Sequence, residues 1–250
     1  MIPDIPWYIT TLVISGNIAI ALGLWRIVAA ANRQPAIRAG AGLFLGGWLT
    51  AALLLAPRAE SLLHQDRYYY LTPLIPLFAL LPTAILLLAV RFSSALRQAL
   101  ARVSLPAIHG IQLYRLIGAV FVFLLGRGQL PAHFAVPAGW GDVVIGLAAP
   151  LVAFALARRV SGAPALALSW NVLGLLDLIV AVGMGTGFLA PYLAPELGAR
   201  VPPAPAMGVF PLVLVPLFAV PISVLLHVLS LARLAAGRRP AARPIAGHAG

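Results

Sequence analysis

The chain has 250 residues, 62% of them hydrophobic and only 9% charged, with a formal net charge of +11. A soluble domain carries about 25% charged residues, so this is the composition of an integral membrane protein. The scattered positive charge is no argument for nucleic acid, which is excluded as a partner. Cysteine is absent and all 17 basic residues are arginine, which rules out disulfides, thiolate chemistry and any lysine Schiff base.

Seven apolar stretches have the 17 to 25 residues or so that a bilayer demands. They are Trp7–Ala31, Ile37–Ala56, Tyr69–Val90, Gly110–Gly126, Gly139–Ala157, Pro164–Gly185 and Val209–Leu231. Backbone hydrogen bonds must close within each segment in lipid, so all seven are read as helices. The expected fold is all-α: one seven-helix transmembrane domain over 1–236, then a basic, disordered cytoplasmic tail over 237–250.

The first span follows Asp4 with no arginine before it. That is not the basic n-region of a signal peptide, so the span is expected to stay in the mature protein. The loop after the second span holds His64, Gln65, Asp66, Arg67 and Tyr68 to Tyr70, where the tyrosines suit an interfacial belt. The third span carries Pro73, Pro76 and Pro82, and the seventh Pro211, Pro216 and Pro221. Each removes a helix hydrogen bond and favours a kink, which makes room for a cavity or a hinge.

Between the third and fourth spans, residues 91–106 separate into two faces. Phe92, Leu96, Ala99, Leu100 and Val103 form one, and Arg91, Ser94, Gln98 and Arg102 the other. This is the pattern of an amphipathic helix at the cytoplasmic surface, or of a plain extension of the third span. The fourth span opens with His109, Gln112 and Arg115, three residues apart and so on one helical face. Arg115 is placed either to snorkel back to the headgroups or to pair with an acid or a ligand.

His133 precedes the fifth span. Trp140 suits an interfacial anchor or a ligand-stacking ring. Asp142, one turn in, suits a helix cap or a site. The sixth span has an acid in its middle. Asp177 lies among Leu175, Leu176, Leu178, Ile179 and Val180, roughly 12 Å below the outer end at 1.5 Å per residue. A charge at that depth costs about 3 kcal/mol on insertion scales and marks a functional position with a partner. Trp170 is about two turns away on nearly the same face, with Asn171 beside it and Gly174 between, a point of close helix approach. The seventh span adds Ser223 and His227.

Arginine placement orients the chain. With the N-terminus outside, twelve arginines (26, 33, 38, 91, 97, 102, 158, 159, 233, 238, 239 and 243) fall inside and four (58, 67, 127 and 200) outside. That is the positive-inside pattern and puts the C-terminus in the cytoplasm. PLFA at 76–79 recurs at 216–219, which points to a three-plus-one-plus-three parallel repeat of the kind found in carriers. Topology alone resembles sugar carriers and rhodopsins, although the motifs of both are missing. An alanine-rich, lysine-free chain of this kind suits a bacterial inner membrane.

Three functions remain open. The first is binding or passage of a small solute or lipid-like molecule through a polar-lined cavity. It uses Asp177, Asn171, Trp170, Arg115, Gln112, Asp142, Trp140 and His133 as ligand-binding or proton-carrying groups. The second is a membrane-embedded enzyme. Its metal or acid–base site would draw on His133, Asp142 and Asp177, and a haem would draw on His109 and His227. The third is an accessory subunit whose polar residues only hold helices together. Apart from the lipid bilayer and such a ligand, cofactor, coupling ion and homo-oligomeric state stay undetermined.

Overall fold

The computed structural model describes residues 5–63, 74–186, 189, 192 and 204–237, without the side chains of 59–63, 74–80, 205 and 237. The described residues form helices and no strands. In chain order these are α1 (Trp7–Ala31), α2 (Pro35–Leu63), α3 (Leu74–Phe92), α4 (Ser94–Arg102) and α5 (Leu105–Gly110). A 3₁₀ stretch (Ile111–Gly118) runs on into α6 (Ala119–Gly126), followed by α7 (Ala132–Ala157) and α8 (Ala163–Gly185). A short 3₁₀ turn (Pro205–Gly208) and a π-helical turn (Val215–Ala219) precede α9 (Val220–Gly237).

Six stretches are long and apolar enough to cross a membrane: Trp7–Ala31, Pro35–Arg58, Leu105–Gly126, Ala132–Ala157, Ala163–Gly185 and Val215–Ala236. Large apolar side chains such as Leu43, Val144, Leu151, Phe154 and Ile179 stand exposed on their outer faces. In water such a surface would aggregate; in a bilayer it is solvated by lipid tails. The chain is a multi-pass membrane protein. The expected third span, 69–90, corresponds to α3, with residues 69–73 outside the described ones. Also outside them are His64 to Tyr70, Pro73, Arg200 and the tail 238–250.

Several boundaries differ from expectation. The fifth helix begins at Ala132, not Gly139, because Pro137 is accommodated inside it. The fourth span begins at Leu105, where the Ser104 hydroxyl caps the helix by accepting from Ala107 N–H at 3.3 Å. The chain bends by 105° between α3 and α4, so α4 runs across the bundle instead of prolonging α3. Ser93 caps it, accepting from Leu96 N–H at 3.2 Å. Asn32 ties α1 to α4 by donating to Val28 O and Ala99 O at 3.0 and 3.2 Å, and Arg233 of α9 donates to Val103 O. The ends carrying Arg38, Arg97, Arg102 and Arg233 are thereby gathered at one end of the bundle.

The two PLFA copies have different backbones, α-helical at 76–79 and π-helical at 216–219. Pro221 explains the second. It has no N–H, so Leu217 O loses its donor four residues on; the indole of Trp48 supplies one at 2.9 Å. Irregular turns survive at membrane depth only where the freed groups find such partners.

Candidate functional site

Four spans converge on Arg115. A 3₁₀ helix has three residues per turn, so tightening from Ile111 to Gly118 stacks Gln112, Arg115 and Gly118 in one row facing α7, α8 and α9. Arg115 Nε donates to Asp142 Oδ1 of α7 at 2.7 Å, and Nη2 donates to Asp177 Oδ2 of α8. Nη1 donates to Gly174 O at 3.4 Å and to His227 Nε2 of α9 at 3.2 Å. The Arg115 side chain is 1% exposed, those of Asp142 and Asp177 19% and 12%. One guanidinium therefore holds two carboxylates, and these are the only acids whose side chains are described.

Glycines make the approach close enough. A Cβ on Gly118 would strike the Asp142 carboxyl, one on Gly141 the Asp177 carboxyl and one on Gly174 the His227 ring.

Behind Arg115 the hydrogen bonds run in one sense. A guanidinium only donates, so His227 Nε2 is the bare nitrogen, and Nδ1 bears the proton and donates to Asn171 Oδ1 at 3.0 Å. That fixes the Asn171 amide, whose Nδ2 donates to Ala167 O at 2.6 Å and lies 3.0 Å from Ser230 Oγ and 3.1 Å from His109 Nε2. His109 Nδ1 faces Leu105 O at 2.8 Å. A carbonyl only accepts, so His109 too is protonated at Nδ1. Its Nε2 accepts from Ser230 Oγ, at 3.2 Å, or from Asn171. The line Arg115, His227, Asn171, Ser230, His109, Leu105 O is unbroken. Trp170 closes it from one side, its ring 5.1 Å from that of His109 and 5.0 Å from that of His227, with Nε1 donating to Ile145 O at 3.1 Å.

A cavity of about 40 Å³ adjoins the centre, lined by Asn17, Tyr114, Arg115, Asp142 and Ser223 among others. One water needs about 10–15 Å³ and two to four polar partners, so the space suits water and is too small for an organic solute. Among the described residues Asn17 Oδ1 is buried without a partner, and so are both amide atoms of Gln112. Buried polar groups of this kind call for water. Tyr114 does not reach Asp177; its hydroxyl meets Ser223 Oγ at 2.6 Å.

Of the expected residues, Asp177, Asp142, Arg115, Asn171 and Trp170 come together. Asp142 is not a cap. Because α7 starts early, it lies ten residues in, level with Asp177. Trp140 points away, 55% exposed on the outer face of α7, since it is two residues from Asp142 and so about 200° round the helix. His133 sits in the first turn of α7, nine residues or about 13.5 Å from Asp142, with Nε2 buried and unpartnered among the described residues. It joins no funnel with Asp142 and Asp177. No group of three or more His, Cys, Asp or Glu that could hold a metal exists among the described residues. His109 and His227 share Asn171 and Trp170 as neighbours, but all four ring nitrogens are engaged within the cluster and Asn171 stands between the rings, so the residues do not fit a haem. Ser230 and His109 have a nucleophile–base spacing, yet both are 0% exposed. Asn17, Ser230 and Gly118 were not legible as site residues; the spacing of Ser223, His227 and Ser230 at i, i+4 and i+7 is the signal that could have found Ser230.

A family model described as a domain of unknown function, DUF8737, matches residues 72–235. The chain belongs to this family. The DUF8737 stretch holds the whole Arg115 cluster and leaves out α1 and α2, so Asn17 and Trp48 reach it from outside the matched part. No curated protein and no solved structure matches the chain.

Proposed function

We propose that this chain is a proton-coupled membrane protein whose working group is the Asp142–Arg115–Asp177 centre. The observation that carries the reading is the charge count: two carboxylates on one guanidinium sum to −1, and one added proton brings the centre to zero. A net charge at bilayer depth costs about 2.5–3.5 kcal/mol on insertion scales, so taking up or losing that proton is an energetic event large enough to move helices. Two irregular segments adjoin the centre. The 3₁₀ stretch carries Arg115 and the π-helical turn lines the adjoining water-sized space, and such departures from α-geometry recur at hinges and functional sites. The proton is the species handled at Arg115. A small solute or lipid-like cargo would be driven through the helix movement rather than bound at Asp177.

The arrangement proposed in the membrane has α3 as the third of seven spans, the N-terminus outside and the arginine-rich end in the cytoplasm. The arginine asymmetry supports it, and a bacterial inner membrane is its proposed setting. The three-plus-one-plus-three repeat rests on the PLFA echo alone. A second reading, the accessory subunit, is favoured by the complete pairing of Arg115, which would hold four spans together without any proton traffic.

Infrared difference spectra of purified protein cycled between two pH values separate the two. The proton reading expects one carboxyl band that is lost in Asp177→Asn. Spectra without any titrating carboxyl would overturn it and leave the structural role.

A further inference from the structure

A second cavity lies away from Arg115. It has a volume of about 580 Å³ and lies at the arginine-rich end, bordered by α1, α2, α3, α4, Ile108 and α9. That volume is typical of a ligand pocket, about 300–1,000 Å³. The walls are Leu24, Phe44, Leu86, Leu96, Leu100 and Leu226, together with other apolar residues, and among the described residues the lining contains no acid. A polar solute would find almost nothing to bond with there and would forfeit its hydration.

Among the described residues, the charged groups in the lining are Arg97 and Arg233. Each is steadied by helix-end carbonyls. Arg97 Nη1 donates to Val90 O and Arg91 O at 2.9 and 2.7 Å, and Arg233 Nη1 donates to Val103 O. A guanidinium has five N–H donors, so each keeps donors to spare. The bend at Ser93 lays α4 across this end, which brings Leu96 and Leu100 into the cavity wall and Arg97 to its rim.

An apolar chamber with cations at its rim and no acid in its wall complements an apolar chain with an anionic head. We infer that this cavity binds an anionic phospholipid, one acyl chain inside and the phosphate on Arg97 and Arg233. The chain's own residues 238–250 are a poor occupant, since they carry Arg238, Arg239 and Arg243 and would meet like charge. The inference does not depend on the proton reading.

Native mass spectrometry of the purified full chain with added phosphatidylglycerol or phosphatidylcholine tests it. One tightly held phosphatidylglycerol is expected, favoured over phosphatidylcholine by about thirtyfold, the weight of two interfacial arginines. Arg97→Gln together with Arg233→Gln should abolish the preference. Gly40 lines the cavity and a Cβ there meets nothing within 4 Å, so Gly40→Phe should fill the space and cost the bound lipid while loosely held lipid stays. Equal retention of the two lipids by the parent, unchanged phosphatidylglycerol retention in Gly40→Phe, or a dimer that forms on this face without lipid would each overturn the site. If Gly40→Phe fails to fold, thermal unfolding of the parent decides: phosphatidylglycerol must raise its melting temperature above the value in equal phosphatidylcholine, and no difference refutes the proposal.

Discussion

His227 Nε2 sits 3.2 Å from Arg115 Nη1, and that contact sets the direction of every hydrogen bond behind it. Since arginine has no lone pair to offer, the imidazole must accept, and Asn171, Ser230 and His109 follow in turn. Nitrogen NMR on histidine-labelled protein should therefore find both His109 and His227 as singly protonated Nδ1–H tautomers. An Nε2–H signal from His227 would mean that the Arg115 contact is not made in the membrane.

The glycines under the cluster predict an asymmetry. Gly174→Ala drives a methyl group into the His227 ring and Gly141→Ala drives one into the Asp177 carboxyl. Overpacking of this kind costs about 1–3 kcal/mol. Gly46 and Gly47 have nothing within 4 Å of a Cβ, and alanine there should be neutral or slightly stabilising, because glycine is the poorer helix former. Thermal unfolding in detergent reads both; equal behaviour of the four variants would contradict the packing.

What was legible follows from how membrane helices are written. An acid in the middle of an apolar span has to find a partner, so the need of Asp177 for one could be read from position alone, while Arg115 stayed open between snorkelling and pairing. Which way the rest of each helix faces could not. In water a buried face announces itself by hydrophobic periodicity; in lipid the outward face is equally apolar, and that signal vanishes. Trp140 and Trp170 look alike in the sequence, yet one faces outward and the other closes the cluster. Asp142 stood open between cap and site because the span was read from Gly139, whereas α7 runs on through Pro137 to Ala132. Ser230 and Asn17 are ordinary polar residues until the helices are assembled. Gly174 was readable as a close approach, and its neighbour is the His227 ring.

Removing the guanidinium should be the most damaging change. Arg115→Gln leaves two carboxylates facing each other without a cation, and breaking a buried pair in this way costs about 3–5 kcal/mol. Adding Asp142→Asn to that variant should restore part of the loss, because it removes one of the two stranded charges. A double variant no more stable than Arg115→Gln alone would show that Asp142 does not feel the arginine.

Orientation is open to a direct test, since the chain has no cysteine of its own. Single cysteines at Arg127 and Ser161, at opposite ends of α7, are expected to label oppositely with an impermeant reagent in intact cells, position 127 from outside and position 161 only after lysis. Labelling of position 161 from outside would invert the proposed topology.

The decisive comparison is between Asp177→Asn and Asp142→Asn. Each leaves Arg115 one carboxylate, and the new amide oxygen can still accept from the guanidinium, so neither should cost more than the roughly 0.5–1.5 kcal/mol of an ordinary hydrogen bond. Their effect on proton binding is expected to be large and the same. With one acid gone, the centre is already at zero charge, so the proton that neutralised the parent has nothing left to cancel. The titrating carboxyl band should then disappear from both single variants. The double variant removes both carboxylates and strands Arg115, whose side chain is 1% exposed, so it should lose about 3–5 kcal/mol although neither single change does. This pattern of two stable singles that lose proton uptake and one unstable double belongs to a shared proton on a common arginine. A single variant that keeps the parent's proton uptake would show that the two acids act independently, and the proton-coupled reading would fall with it.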